Sequence, residues 1–157
     1  MRTHTSTAQA TEDFGAQLAR GRPAAATGHA VVYLSGELGS GKTTFARGFL
    51  RGCGVTDEVR SPTYTLLEPY SAGALTVVHL DLYRLRDPAE VESLGLRDYA
   101  RPGHVWLIEW PARGGTHLPA ADLNLEFAAS PDGHDIDVQA RSALGRAWLA
   151  TLPGQAA

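Results

Sequence analysis

Three apolar runs rich in β-branched residues stand out along the chain, at residues 30–35, 76–82 and 104–110. Each run is apolar almost throughout rather than alternating, which is typical of strands buried on both faces of a parallel sheet. The second and third runs carry an acid near their end, and the first is followed by a glycine-rich segment. The pattern therefore predicts three fully buried strands with polar chemistry at their ends.

A different pattern occupies the C-terminal part of the chain. Residues 123–127 and 136–138 alternate apolar with polar side chains, and a turn-forming segment at 130–133 separates them. Alternation of this kind predicts a β-hairpin with one face in water. Together the two patterns predict an α/β fold, in which helices flank a mostly parallel sheet with an antiparallel edge hairpin near the C-terminus.

Helix signals fill most of the segments between the predicted strands. Thr11, followed by two acids, predicts one helix start, and residues 42–52 carry an apolar face that ends at glycine. Asp87 is followed by proline and then by glutamate three positions on, which predicts a second helix start. Residues 144–148 indicate a short closing helix, and residues 63–68 are predicted to be extended.

The composition is that of an ordinary globular protein, with 43% hydrophobic and 20% charged residues and a net charge of −3. A length of 157 residues without repeats predicts one domain, in which residues 1–10 and 152–157 are expected to be flexible. The negative charge excludes a general attraction to nucleic acid or to anionic membranes. Without a signal-peptide pattern or a run of 18 apolar residues, we expect a cytoplasmic protein that does not contact the membrane. Cys53 is the only cysteine, which excludes an intrachain disulfide.

Residues 36–43 match the pattern G-x-x-x-x-G-K-[ST] at every fixed position, and we call them the P-loop. Glycines let the backbone wrap around phosphate oxygens, and the helix that follows presents its positive end to the same oxygens. Lys42, the only lysine among 14 basic residues, is predicted to reach the β- and γ-phosphates, and Thr43 to ligate magnesium. The match lies between a predicted strand and a predicted helix, as the motif requires.

A P-loop enzyme also needs an acid at the end of a neighbouring buried strand to hold the magnesium shell. Asp81 and Glu109 both fulfil this requirement. Strand alternation places His79, Asp81 and Tyr83 on one face, so Asp81 either coordinates magnesium or orients the attacking water. The sequence leaves the division of roles between Asp81 and Glu109 open.

Missing motifs narrow the class of P-loop protein. A GTPase that recognises guanine through N-K-x-D needs a second lysine, which is absent, and no L-S-G-G-Q-like stretch of an ABC cassette occurs. A small-molecule kinase remains an alternative, with Arg84 and Arg86 as candidate lid arginines. Residues 87–103 are short for a lid plus an acceptor pocket, which favours water as the nucleophile. A nucleotide-binding module without catalysis is the third hypothesis.

The chain resembles the TsaE (YjeE) family, the ATPase component of bacterial tRNA threonylcarbamoyladenosine biosynthesis. Five stretches carry the resemblance, and it covers roughly residues 11–150. They are GELGSGKTT at 36–44, SPTYT at 61–65, HLDLYRL at 79–85, LGLRDY at 94–99 and IEWP at 108–111. The second and third stretches are much more specific to this family than the P-loop alone.

The resemblance implies a P-loop α/β fold that binds ATP and magnesium, with Thr43 and Glu109 on the metal and Asp81 beside them. It implies nucleotide contacts from Thr11 and the loop residues Glu37, Leu38, Gly39, Ser40, Gly41, Lys42, Thr43 and Thr44. It also implies a switch that senses the γ-phosphate, formed by Ser61, Pro62, Thr63, Tyr64 and Thr65. In this family the ATPase is slow alone, acts with a TsaB–TsaD pair and supports repeated turnover.

Direct contact with tRNA is left open by the sequence. Arg47, Arg51 and Arg60 are candidates for a basic strip, although solvated arginines are common on protein surfaces. We therefore expect tRNA to be contacted indirectly or weakly, through the partner proteins.

Overall fold

A single mixed sheet of seven strands organises the computed structural model, which describes residues 1–24, 28–62 and 64–154. In chain order the strands are β1 (Arg2–Thr5), β2 (Ala30–Ser35), β3 (Leu67–Ala72), β4 (Leu75–Asp81), β5 (His104–Glu109), β6 (Leu123–Ser130) and β7 (Gly133–Ala140). Their order in the sheet is β1-β7-β6-β2-β5-β4-β3. Thr63 of the predicted switch and residues 155–157 of the predicted flexible end lie outside the described residues.

In the described residues, three α-helices and four short 3-10 helices complete the fold. The α-helices are α1 (Ala8–Arg20), α2 (Lys42–Gly52) and α3 (Ala143–Leu149). The 3-10 helices are Pro88–Leu94, Leu96–Tyr99, Pro111–Arg113 and Gly115–His117. None of the helices in the described part of the chain is long and apolar enough to cross a membrane.

The centre of the sheet is parallel and both flanks are antiparallel. Strand β2 pairs in parallel with β5 and β6, and β4 pairs in parallel with β5. Strands β3 and β7 pair antiparallel with β4 and β6, and β1 pairs antiparallel with β7. The predicted α/β class is confirmed, as are the three buried strands and the hairpin, beyond which β1 continues the sheet.

The N-terminal segment differs from the prediction. Residues 2–5 form β1 instead of a loose end, and α1 begins at Ala8, capped by the side chain of Thr7. Thr11, predicted to open the helix, is fully buried inside it, where its hydroxyl lies 2.7 Å from the hydroxyl of Thr5. A four-residue strand of polar side chains is held by backbone pairing with β7, and therefore leaves no hydrophobic pattern in the sequence.

The segment before β3 also differs from the prediction. Residues 63–68 were predicted to be extended, whereas β3 begins only at Leu67. A turn precedes it, closed by a hydrogen bond from the Leu66 N–H to the Pro62 carbonyl at 2.9 Å. Leu66 has a φ of 62°, which is uncommon for a residue with a branched side chain, and this conformation ends the turn.

Helices α1 and α2 cover one face of the sheet and approach each other unusually closely. A Cβ added to Gly48 of α2 would overlap the carbonyl of Glu12 in α1, and one added to Gly15 would overlap the carbonyl of Phe45. Only glycine permits this backbone contact. Because α2 begins at the P-loop, its close packing on α1 fixes the position of the loop.

Candidate nucleotide site

A cavity of about 380 Å³ opens at the carboxyl ends of β2, β4 and β5. Ligands of parallel α/β sheets bind at this edge. Its lining comes from segments far apart in sequence: Leu38, Gly39, Gly41, Lys42, Thr43, Thr44, Ser61, Asp81, Tyr83, Arg84, Glu109, Trp110 and His134. The sheet therefore brings the P-loop, both predicted acids and one residue of the predicted switch to one place.

The P-loop backbone depends on its glycines. Gly36, Gly39 and Gly41 have φ values of 140°, 75° and 103°, a region that side chains with a Cβ rarely adopt. A Cβ on Gly36 would overlap the carbonyl of Phe127, and one on Gly41 would lie 3.3 Å from the ring of His134. Because these positions require glycine, the P-loop presents backbone without side chains at the amino end of α2, where anions are favoured.

The side chain of Lys42 folds back over the preceding residues of the P-loop. Its Nζ donates hydrogen bonds to the carbonyls of Gly36 at 2.6 Å and Glu37 at 2.7 Å, and to the hydroxyl of Ser40 at 3.3 Å. The same atom lies 4.6 Å from the centre of the Trp110 indole ring. A phosphate in the cavity would offer this buried cation a charged partner instead of neutral carbonyls.

Burial lowers the pKa of the Lys42 ammonium below its ordinary value. The negative charges of Glu109, Asp81 and Glu37 act in the opposite direction and raise it. Lys42 is therefore a desolvated cation, and its attraction to an anion is stronger than it would be in water.

Glu109 is the centre of a buried hydrogen-bonded chain across the floor of the cavity. The Thr43 hydroxyl donates to Glu109 Oε1 at 2.9 Å, and His79 Nε2 lies 2.7 Å from Glu109 Oε2. The side chains of His79 and Glu109 are 0% and 2% exposed. A proton on Nε2 of His79 satisfies this contact and holds the carboxylate with its other oxygen against Thr43. The structure thus assigns His79 a position behind Glu109.

Asp81 occupies a different environment from Glu109. Its carboxylate accepts hydrogen bonds from the Tyr83 N–H at 3.0 Å and from the Ser61 hydroxyl at 3.2 Å. Burial, followed by the nearby charge of Glu109, raises the pKa of Asp81 above its ordinary value. Asp81 therefore connects the end of β4 to the predicted switch, whereas Glu109 is tied to the P-loop helix.

Replacing Asp81 by asparagine is expected to stabilise the nucleotide-free protein at neutral pH. Because the folded-state pKa is raised, Asp81 favours folding only when protonated, and this contribution is lost as the pH rises through that pKa. We expect the melting temperature of Asp81→Asn in EDTA to exceed that of the wild type by a few degrees at pH 7.5. The two should converge at acid pH, below the ordinary aspartate pKa of 3.8. A lower melting temperature for the variant at pH 7.5 would contradict the assigned cause.

Aromatic and arginine side chains surround the mouth of the cavity. Tyr83 lies against Trp110 with ring centres 5.0 Å apart, and the Arg113 guanidinium lies 5.6 Å from the first ring and 5.9 Å from the second. Arg84 lies 5.0 Å from the ring centre of Tyr64. Trp110 is half-buried and has a φ of 58°. Its indole ring contacts Lys42 inside the cavity and contacts Tyr83 and Arg113 at the mouth.

Several predicted residues lie outside the cavity lining. Thr11 is buried against Thr5, Ser40 is buried within the P-loop, and the Glu37 side chain is exposed. Pro62, Tyr64 and Thr65 line an adjacent hollow of about 330 Å³. The candidate basic strip is occupied by ion pairs, since Arg47 and Arg51 contact Glu12 and Arg60 contacts Glu58.

His134 is a cavity residue that the sequence did not indicate. It follows the turn of the β6–β7 hairpin, and its ring packs on Gly41. Its Nδ1 is buried without a hydrogen-bond partner among the described residues. The hairpin itself was predicted, but nothing in the alternation of its side chains indicates that its turn lies beside the P-loop.

Comparison with known proteins identifies the family. The family model described as "Threonylcarbamoyl adenosine biosynthesis protein TsaE" matches residues 5–136. The chain belongs to the TsaE family. The matched TsaE region contains the P-loop, Asp81, Glu109 and His134, so it covers every residue that lines the cavity.

Curated TsaE proteins show the same similarity. The tRNA threonylcarbamoyladenosine biosynthesis protein TsaE of Haemophilus influenzae is 45% identical over 116 residues, which are 74% of this chain and 73% of that protein. TsaE of Bacillus subtilis is 41% identical over 102 residues, 65% of this chain and 63% of that protein. The crystal structure of Bacillus subtilis YdiB aligns with a TM-score of 0.74 at 29% identity, covering 95% of this chain and 90% of that chain.

Proposed function

We propose that this protein is a magnesium-dependent ATP-binding protein and slow ATPase that supports threonylcarbamoyladenosine modification of tRNA together with a TsaB–TsaD pair. The observation that carries the ATPase proposal is the placement of the only lysine and the Thr43–Glu109–His79 chain around one glycine loop. The names of the relatives support the pathway.

The residues present suit a magnesium-bound triphosphate. Thr43 and Glu109 offer a hydroxyl and a carboxylate oxygen 2.9 Å apart, and oxygen ligands are those that magnesium prefers. Magnesium bound there would neutralise charge on the phosphates. Lys42 would exchange the Gly36 and Glu37 carbonyls for phosphate oxygens, and the positive end of α2 would face the same group.

The two acids have separate roles in this proposal. Glu109 is fully buried and held on both oxygens, which suits a fixed metal ligand. Asp81 lines the cavity between Ser61 and Tyr83, and its raised pKa suits a residue that orients a water and accepts a proton. We place the attacking water beside Asp81, on the side of the predicted switch.

The surface around the cavity suits a partner protein. The exposed large hydrophobic side chains in the described residues are Leu38, Tyr64 and Tyr83, with exposures of 65%, 85% and 36%. Leu38 and Tyr83 line the cavity, and Tyr64 adjoins it through Arg84. Tyrosine, tryptophan and arginine dominate the binding energy of protein interfaces. We therefore propose that the TsaB–TsaD pair docks over this mouth and that tRNA is engaged through it.

The kinase alternative gains no support from the structure. Residues 87–103 contain two short 3-10 helices that pack on the sheet through the buried side chains Val91 and Leu96. An acceptor pocket with a closing lid would require this segment to stand over the P-loop.

The deciding experiment is ATP hydrolysis by this protein with and without the purified TsaB–TsaD pair of the same organism. We expect inorganic phosphate as the product and a stimulation of about tenfold or more, equivalent to about 1.4 kcal/mol of barrier. A hydrolysis rate that the pair does not change would overturn the pathway assignment, and only the ATPase assignment would remain. Transfer of labelled phosphate to a metabolite, in place of phosphate release, would favour the kinase instead.

A further inference from the structure

We propose that Arg84 is the residue that detects the γ-phosphate of ATP. Its guanidinium moves away from the ring of Tyr64 and binds this phosphate. The inference rests on the proposed function and extends it, because it assigns the cavity a second phosphate-binding cation. It also assigns Tyr64 a nucleotide-dependent exposure at the proposed docking surface.

Among the described residues that line the cavity, Lys42 and Arg84 carry the lysine and arginine side chains, beside the two acids Asp81 and Glu109. Lys42 is held by three oxygen atoms of the P-loop itself. Arg84 lines the same cavity as Ser61 and Asp81. A phosphoryl group undergoing hydrolysis develops charge that a cation beside it stabilises, and an arginine serves this purpose in many P-loop enzymes.

Arg84 is free to move in a way that Lys42 is not. Its side chain is exposed, and over residues 1–24, 28–62 and 64–154 it makes no ion pair, in contrast to Arg47, Arg51 and Arg60. Its contact is with the face of the Tyr64 ring at 5.0 Å. The backbone just before it is anchored, since the Tyr83 N–H donates to Asp81. A long flexible side chain on a fixed backbone can exchange one partner for another.

The exchange depends on which nucleotide is present. An exposed cation–π contact is among the weaker interactions of arginine, whereas a bidentate guanidinium–phosphate pair is among the stronger ones. ATP offers Arg84 a terminal γ-phosphate as a charged partner, and ADP does not. Arg84 should therefore stay on Tyr64 with ADP and leave it with ATP.

The exposure of the Tyr64 ring at the surface would then depend on whether ATP or ADP is bound. Tyr64 is 85% exposed and belongs to the 61–65 segment, whose Ser61 hydroxyl donates to Asp81. When Arg84 moves, the ring of Tyr64 loses its cationic neighbour and its whole face becomes available to a partner protein. One arginine thus connects the contents of the cavity to the proposed docking surface.

The test compares the affinities of the wild type, Arg84→Ala and Arg84→Lys for ADP and for the non-hydrolysable analogue AMPPNP, with magnesium. Arg86→Ala is the matched control, because Arg86 is exposed and lies two residues away but does not line the cavity. We expect Arg84→Ala to weaken AMPPNP binding about tenfold, the loss of one charge-assisted contact, and to change ADP binding less than twofold. Arg84→Lys should recover part of the loss, and Arg86→Ala should match the wild type.

The outcomes separate this inference from the proposed function. If the wild type binds both nucleotides and Arg84→Ala weakens both equally or neither, the role of Arg84 is wrong and the ATPase proposal stands. If the wild type binds neither nucleotide, both proposals are wrong. Tyr64→Leu supplies a second measurement, since removing the alternative partner of Arg84 should raise AMPPNP affinity about two- to threefold and leave ADP unchanged. A fall in AMPPNP affinity would contradict the exchange.

Discussion

Lys42→Ala is expected to reduce ATP hydrolysis by about 10²- to 10³-fold, the typical cost of removing one preorganised group that stabilises developing charge. No other lysine exists to replace it, and the P-loop backbone amides alone cannot neutralise a γ-phosphate. The loss should appear both in ATP affinity and in the rate at saturating ATP. Isothermal titration with AMPPNP and a phosphate-release assay measure the two quantities separately.

The control for this prediction must separate chemistry from loop stability, because Lys42 also holds the Gly36 and Glu37 carbonyls. Arg51→Ala, on the exposed side of the same helix, removes a positive charge without touching the cavity. It should retain near wild-type hydrolysis, and both variants should retain the helical signal of the wild type. Hydrolysis by Lys42→Ala within threefold of the wild-type rate would exclude the P-loop as the active site.

The second large effect is expected from Glu109→Gln, which should lower magnesium-dependent hydrolysis by about 10²-fold with little change in folding. Glutamine keeps an oxygen that can accept from the Thr43 hydroxyl. Its amide group can donate to His79 if the imidazole proton moves to Nδ1, which has no partner among the described residues. The substitution therefore removes the negative charge at the proposed metal position and preserves the shape of the site.

A magnesium titration of AMPPNP binding checks the assignment of Glu109. We expect the wild type to bind more tightly as magnesium rises, and Glu109→Gln to lose most of this dependence while binding the nucleotide without magnesium as the wild type does. Glu126→Gln, an exposed glutamate of β6, is the matched control and should retain the dependence. An unchanged magnesium response in Glu109→Gln would assign the metal to another residue, with Asp81 the first candidate.

Much of the central architecture could be predicted from the sequence, because its signals are local. Residues 30–35 and 104–110 are apolar runs, and they became β2 and β5 within one residue. Residues 42–52 were predicted as a helix between glycines and form α2 with the same bounds. Strand β1 could not be predicted, since its polar residues are ordered by hydrogen bonds to β7 and not by burial.

The site was predictable only in part, because only some of its residues belong to local sequence patterns. Lys42 and Thr43 follow from a contiguous motif, and Asp81 and Glu109 follow from their places at strand ends. Their convergence depends on the neighbouring positions of β2, β5 and β4, which the structure shows. Contacts between elements leave no local pattern, so the bond between His79 and Glu109 required the structure.

The packing of His134 on Gly41, and that of Arg84 on Tyr64, required the structure for the same reason.

Strand β1 has a consequence for the order in which the molecule assembles on the ribosome. Its residues are synthesised long before those of β7, with which they pair and where Thr5 lies opposite His134. Strand β1 must therefore remain without its partner until β7 has emerged from the ribosome, and pairing over such a separation is slow. The β6–β7 hairpin also places His134 beside the P-loop, so the lining of the cavity is completed only when this hairpin has formed. A nascent chain that stalls before β7 would display a P-loop, a lysine and both acids in an incomplete, open cleft.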